Sequence, residues 1–145
     1  MKRVIILSGI PGSGKSTYTK TLEPDFTVSA DSFFEIPGKG YVFNPAKLPA
    51  AHQECFLEAI GWLEMNTAGL LVVDNTNTSA WEIAPYVLAG EAYDASVEIH
   101  RLTVDVATAK MRNIHGVPDA VIESMAARFG KRDVLPWWTV REVSV

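Results

Sequence analysis

The feature that most restricts this chain is Gly9-Ile-Pro-Gly-Ser-Gly-Lys15-Ser16, set directly after the apolar run Val4 to Leu7 and directly before a helix-forming stretch over residues 15–22. Glycines at this spacing let successive amide N–H groups curl toward one point, and a helix beginning at the lysine adds the partial positive charge of its N-terminus. Phosphate oxygens suit such a cradle. Gly9, Pro11, Gly12, Ser13, Gly14, Lys15, Ser16 and Thr17 are therefore the expected contacts of a nucleoside triphosphate, ATP or a relative. Lys15 would reach the β- and γ-phosphates and Ser16 would ligate Mg2+. The alternative, a glycine-rich turn with no ligand, leaves the complete pattern in its strand–turn–helix context unexplained.

The same unit sets the fold class. Val4 to Leu7 is continuously apolar rather than alternating, as in a central parallel strand covered on both faces. Phe26 to Ser29 reads as a second strand. Ala46 to Thr67 reads as a long helix, with Leu48, Cys55, Phe56, Ala59, Ile60 and Leu63 near a 3.6 period and Gly69 beyond its end as a cap. Leu70 to Asp74 reads as a buried strand, 79–89 as a helix, 95–102 as a strand, and 105–114 and 118–130 as two more helices. Alternating strands and helices around the phosphate loop predict an α/β, three-layer P-loop NTPase fold: a mainly parallel sheet with helices on both faces. The length suits one domain, 1–145, with a lid around 110–118. Pro37 to Gly40 reads as the most flexible loop, and the tail Leu135 to Val145 holds Trp137 and Trp138 before a weakly alternating segment that reads as an edge strand.

Composition narrows the setting. A lone cysteine, Cys55, forms no intrachain disulfide and fits a reducing compartment, so a cytoplasmic location is expected. The apolar run at the start is too short for a membrane segment, and no membrane association is expected. Net charge is -4, but residues 101–145 hold seven Lys/Arg against five Asp/Glu, while residues 1–100 hold six against twelve. A local phosphate site fits this better than a long nucleic-acid track. Nothing in the sequence sets the oligomeric state.

Three further residues carry chemistry. Asp74 ends an apolar run, where P-loop enzymes present their second magnesium-organising carboxylate; otherwise it caps the following turn. Asn75-Thr-Asn77 after it would cap the next helix or contact a phosphate. Asp31, in Ser29-Ala-Asp-Ser32, follows the second strand and so lies at the edge of the sheet that holds the phosphate loop. There it would accept a proton from an attacking hydroxyl, or else serve as the N-cap of a helix starting at Ser32. Arg112 belongs to a group with Lys110, Asn113 and His115 near a helix end; it would stabilise transition-state charge from a lid, or complement the helix dipole. His100 is expected to point outward from its strand and His52 to sit on a helix surface or face the acceptor. Trp62, Trp81, Trp137 and Trp138 are expected to pack rather than to stack on a base.

With these residues in place, the chain resembles the P-loop polynucleotide-kinase-like family, the phage-type 5'-hydroxyl kinases together with a related eukaryotic kinase-like domain. The likeness rests on Gly9 to Ser16, Ser29-Ala-Asp31-Ser-Phe-Phe34, Gly40-Tyr-Val-Phe-Asn-Pro45 with His52, Val73-Asp-Asn-Thr-Asn-Thr78 with Trp81 and Pro85-Tyr86, and Arg112-Asn-Ile-His-Gly-Val-Pro118. It implies a nucleoside-kinase-like form of that fold with a small helical lid, and an ATP- and Mg2+-dependent phosphotransferase with Asp31 as general base and Arg112 on the phosphates. The implied acceptor is a hydroxyl of a nucleic acid or nucleotide. Phe34 stands where phage-type kinases carry an acceptor-side arginine, and the stretch from Arg112 to Pro118 is shorter, with His115 near a second arginine's place. Kinases of hydroxymethylated DNA bases and of small metabolites share the scaffold, so both remain alternatives, as does an ATP-binding switch with no kinase activity.

Overall fold

The computed structural model describes residues 1–144. Its centre is a five-stranded parallel sheet of β1 (Lys2–Ser8), β2 (Phe26–Val28), β5 (Gly69–Asp74), β6 (Ser96–Thr103) and β7 (Val140–Ser144), in the order β2-β5-β1-β6-β7. Two short antiparallel strands, β3 (Glu35–Ile36) and β4 (Gly40–Tyr41), form a separate flap around the turn at 37–40. The described residues also form five α-helices: α1 (Lys15–Leu22), α2 (Leu48–Met65), α3 (Ala80–Ala92), α4 (Val106–Met111) and α5 (Asp119–Gly130).

The apolar run in β1 is continuous because both its faces are covered. Val4 and Ile6 join the core beneath α2 and α3, while Ile5 and Leu7 meet Tyr18 and Leu22 of α1 and Val143 of β7. The amphipathic order of α2 shows in Ala51, Cys55, Ala59 and Leu63, buried at every fourth position. A third cluster, Ile10, Ala109 and Ile122, fastens the phosphate loop to α4 and α5. No helix among the described residues is long and apolar enough to cross a membrane.

Several expected boundaries shift. The long helix starts at Leu48, after a 3-10 turn over Pro45–Lys47, and ends at Met65, where Asn66 turns extended and caps Trp62 O through both its backbone N–H and its Nδ2. Gly69 is therefore not the cap. It opens β5 with φ 116, and a Cβ there would lie 2.8 Å from Asp25 Oδ2, which accepts Leu70 N–H at 2.7 Å. The helix expected over 105–114 ends at Met111.

The expected edge strand forms as β7, parallel to β6; Val145, the end of that prediction, lies outside the described residues. His100 does not point outward. It is 4% exposed because α1 lays Tyr18 over it, the phenol oxygen 2.6 Å from His100 Nδ1, and Glu98 Oε1 lies 3.2 Å from Nε2. Trp62 and Trp138 pack against the core as expected, but Trp81 and Trp137 are 76% and 75% exposed. In α3 the buried positions are Ile83, Tyr86, Val87, Ala89 and Gly90, and the stripe through Ile83, Tyr86, Val87 and Gly90 leaves Trp81 on the opposite side.

Candidate active site

The phosphate loop hangs between two strand ends. Ser8 Oγ donates to Asn77 O at 2.7 Å, Asn77 Nδ2 donates to Leu7 O at 2.8 Å, and Gly9 N–H donates to Thr76 O at 2.8 Å. The segment after β5 thus braces the root of the loop, which gives Thr76 and Asn77 a structural duty in place of the expected cap. The Ala80 N–H at the start of α3 is taken instead by Asp133 Oδ2, at 2.9 Å. Gly12 and Gly14 adopt φ 82 and 91, and a Cβ on Gly12 would collide with the Ala109 carbonyl of α4. Ser13 is fully buried; Pro11 and Gly14 are half-buried; Ser16 and Thr17 at the head of α1 are exposed.

Lys15 curls over the loop, its Nζ donating to Gly9 O at 3.0 Å and Ile10 O at 3.1 Å. Burial pulls its pKa below the usual lysine range, against the attraction of Asp74 and Asp31. Burial likewise pushes the Asp74 carboxyl up, against the pull of Lys15, and Asp31 adds to the rise. Lys15, Asp74 and Asp31 therefore share one electrostatic neighbourhood at the carboxyl ends of β1, β5 and β2, the edge where open α/β sheets bind ligands.

Asp31 lies in a 3-10 turn over Ala30–Phe34 whose cap is Ser29, its Oγ accepting Asp31 N–H at 3.2 Å; Asp31 is not the cap itself. Two tethers fix it. Buried Asn75, next to Asp74, accepts the Ala30 N–H on Oδ1 at 2.8 Å, and Tyr41 Oη donates to Asp31 Oδ1 at 3.2 Å. Asp31 itself is exposed. Burial, then the Asp31 charge and hydrogen bond and the Glu35 charge, push the Tyr41 hydroxyl up to about 12.

Arg112 is the C-cap of α4, exposed, and a methyl group built on Gly14 would lie 3.9 Å from its Nη1. Its guanidinium thus overhangs the phosphate loop. Lys110 is instead engaged by Glu123 of α5 at 2.5 Å, and Asn113 closes the following loop on Val117, donating through Nδ2 at 2.5 Å and accepting on Oδ1 at 3.2 Å. His115 packs its ring edge-on against Tyr41, centroids 4.3 Å apart. His52 lies exposed on α2. Asn75, expected to cap the next helix or contact a phosphate, and Tyr41, given no role in the sequence reading, are the residues that tie Asp31 to its surroundings; both lie within the motifs quoted there.

Among the described residues, two buried side-chain polar atoms lack a hydrogen-bond partner: Ser13 Oγ in the phosphate loop and His115 Nδ1 in the loop between α4 and α5. Such orphans cost about 1–3 kcal/mol each. Both sit in the elements that would surround a triphosphate. No group of three His, Cys, Asp or Glu among the described residues could hold a metal ion by itself. Ser16 with Asp74 fits the other arrangement, a Mg2+ held by one or two oxygen ligands together with substrate phosphates.

The fold and the phosphate loop define a P-loop α/β protein. A sequence model for a family described as an AAA domain matches residues 4–131, and the chain belongs to that family. It is 31% identical to human (Homo sapiens) NEDD4-binding protein 2 over 134 residues, covering 87% of this chain and 8% of that protein. The chain therefore spans a small part of its relative's length. Among solved structures it is similar to a chain of the Pnkp1/Rnl/Hen1 RNA repair complex, with TM-score 0.71 and 22% identity over 90% of this chain and 44% of that one. It is also similar to a gluconokinase from Sinorhizobium meliloti, with TM-score 0.59 and 14% identity over 99% of this chain and 81% of that one. An APS kinase of Mycobacterium tuberculosis matches at TM-score 0.58 and 15% identity, over 99% and 88%. At these identities the likeness to solved structures establishes the fold.

Proposed function

We propose that the chain is a kinase domain, residues 1–145 with a lid at 110–118, that transfers the γ-phosphate of ATP to a hydroxyl of a nucleic acid or nucleotide in the cytoplasm. The observation that carries this reading is the placement of Asp31. An exposed carboxylate, tethered on both sides, stands in the electrostatic field of the phosphate-loop lysine and of Asp74.

In this reading the amides of Gly14, Lys15 and Ser16, at the start of α1, bind the α- and β-phosphates of the donor, while the Gly9 and Ser13 amides stay bonded within the loop's own frame. Lys15 turns from the Gly9 and Ile10 carbonyls to the β- and γ-phosphates. Ser16 and Asp74 would hold Mg2+, which neutralises phosphate charge when bound. Asp31 takes the proton from the acceptor O–H as its oxygen bonds to the γ-phosphorus. The bridging P–O bond breaks, and ADP leaves with the electron pair. Arg112, over Gly14, faces the negative charge that gathers on the transferring group.

The test is transfer of labelled γ-phosphate from Mg-ATP to a panel: DNA and RNA with 5'-hydroxyl ends, hydroxymethylated-base DNA, nucleosides and sugar acids. Asp31→Asn should keep ATP binding and lose transfer by about 10²–10⁴-fold. Full transfer by Asp31→Asn would remove the proposed base. ATP binding with no acceptor-dependent ADP release across the panel would favour a switch module.

A further inference from the structure

The flap beside Asp31 is aromatic, and its rings are ordered. Residues 41 and 43 lie two apart on an extended segment and so project on the same side. Their rings are parallel, 7° between planes and 6.5 Å between centroids. Phe34, only 2% exposed, meets Tyr41 edge-on at 6.2 Å and Phe43 at 5.0 Å, and anchors both from below. His115 of the lid borders Tyr41. Phe43 is nevertheless 49% exposed and its neighbour Val42 45% exposed, beside a charged site where water-facing aromatics carry no structural advantage.

We propose that Tyr41 and Phe43, backed by Phe34 and bordered by His115, form a stacking platform for a planar base of the acceptor, so that the acceptor is a nucleoside-terminated molecule. The proposal rests on the reading of Asp31 as the base that receives the acceptor hydroxyl, since Tyr41 ties the platform to that carboxylate at 3.2 Å. Chemistry favours a base over a sugar acid here. Phe33, Tyr41, Phe43 and His115 offer ring faces above buried Phe34, and the charges that act on Tyr41 are the carboxylates of Asp31 and Glu35. An acidic metabolite would need a cation where this site has carboxylates. A stacked base needs a rigid ring face, which Phe34 secures, and base–aromatic stacking tolerates any base. Tyr41 is a positioning residue in this scheme, because an acceptor hydroxyl approaching Asp31 Oδ1 must share or displace its hydrogen bond.

The experiment measures equilibrium binding of two 5'-hydroxyl oligonucleotides to the full chain, one with a normal 5'-terminal nucleotide and one abasic at that residue. Binding is read by fluorescence anisotropy with Mg and a non-hydrolysable ATP analogue present. The normal end should bind about tenfold or more tightly, within the range of base–aromatic stacking. Phe43→Ala and Phe43→Leu should both bind the normal end as weakly as the abasic one, with ATP affinity and melting temperature unchanged. Equal affinity for the two ends in the parent overturns the platform, and so does a Phe43→Leu variant that still discriminates, since leucine keeps apolar cover without a ring face. Tighter binding of gluconate than of a nucleoside also overturns it. No phosphoryl transfer enters these readouts, so a platform that fails leaves the kinase reading to its own assay, and a chain that transfers nothing can still show the platform.

Discussion

Replacing Asn75 by alanine should separate the placement of Asp31 from the binding of nucleotide. Asn75 is 8% exposed, and its Oδ1 accepts the N–H of Ala30, itself 5% exposed, at 2.8 Å. Alanine leaves that backbone donor buried and unpaired. The cost is about 2 kcal/mol, from the ~1–3 kcal/mol of an orphaned buried polar group. The second bond, from Nδ2 to Cys55 Sγ at 3.5 Å, goes to a weak sulfur acceptor and adds little. At roughly 2–4 °C per kcal/mol for a domain of this size, the melting temperature falls by about 4–8 °C. The kinetic consequence follows from the chain: Ala30 precedes Asp31, and a base displaced by ~1 Å costs about 100-fold in turnover. ATP affinity should hold, because the loop root is clamped by Ser8, Asn77 and the Thr76 carbonyl rather than by Asn75. Thermal melts, ATP titration and the transfer assay on one preparation check this. A melting temperature lowered by less than about 1 °C, or a loss of ATP affinity matching the loss of turnover, refutes the tether.

Arg112→Ala should lower transfer by about 10³ or more while changing stability by less than ~0.5 kcal/mol, because the side chain is exposed; steady-state kinetics beside a denaturant melt check it, and transfer within about tenfold of the parent counts against the role. Asp74→Asn should raise the melting temperature of the ligand-free protein at pH 7. Burial lifts the folded carboxyl's pKa, so the fold binds that proton more tightly than the unfolded chain, and ionised Asp74 works against folding. The gain should fade as pH falls toward the unfolded value of 3.8, and a variant less stable than the parent at pH 7 contradicts the sign. Gly14→Ala should cost only the left-handed backbone strain, about 1–2 kcal/mol, since the new methyl meets nothing nearer than Arg112. Gly12→Ala should cost clearly more and disturb α4, because its methyl runs into the Ala109 carbonyl; equal costs in urea melts would show that the loop moves freely of the lid helix.

What was legible in the sequence was whatever the backbone demands locally. The phosphate loop announces itself because backbone at φ 82 and 91 favours glycine over other residues, and β1 because a strand covered on both faces must be apolar throughout. His100 was misread because the face of β6 it occupies is closed by Tyr18, some eighty residues earlier in the chain, and no local pattern carries that contact. Trp81 was misread although the stripe of Ile83, Tyr86, Val87 and Gly90 in its own helix already excludes it from the buried side. The flap escaped because two-residue strands have no period to detect, and Asn75 because an amide that supports a neighbour's backbone looks like any turn residue. The chemistry-bearing side chains could be named from the sequence; the side chains that hold them could not.

The electrostatics of the sheet edge explain why those supports are needed. Lys15 and Asp74 are each pushed by burial toward their neutral forms, and each is held charged in part by the other. In the free protein this pair works against folding. A ligand that carries both signs, phosphate oxygens for the ammonium and a divalent cation for the carboxylate, satisfies the two at once, so burial that weakens the fold strengthens discrimination for a metal-bound triphosphate. The arrangement works only if neither group can relax into solvent. The Ser8–Asn77 and Gly9–Thr76 bonds and the contact of Gly12 with α4 prevent that on the donor side. Asp31, exposed and without such a cage, depends on Asn75 and Tyr41 instead, which is why the acceptor side of the site should be the one most easily altered by substitution.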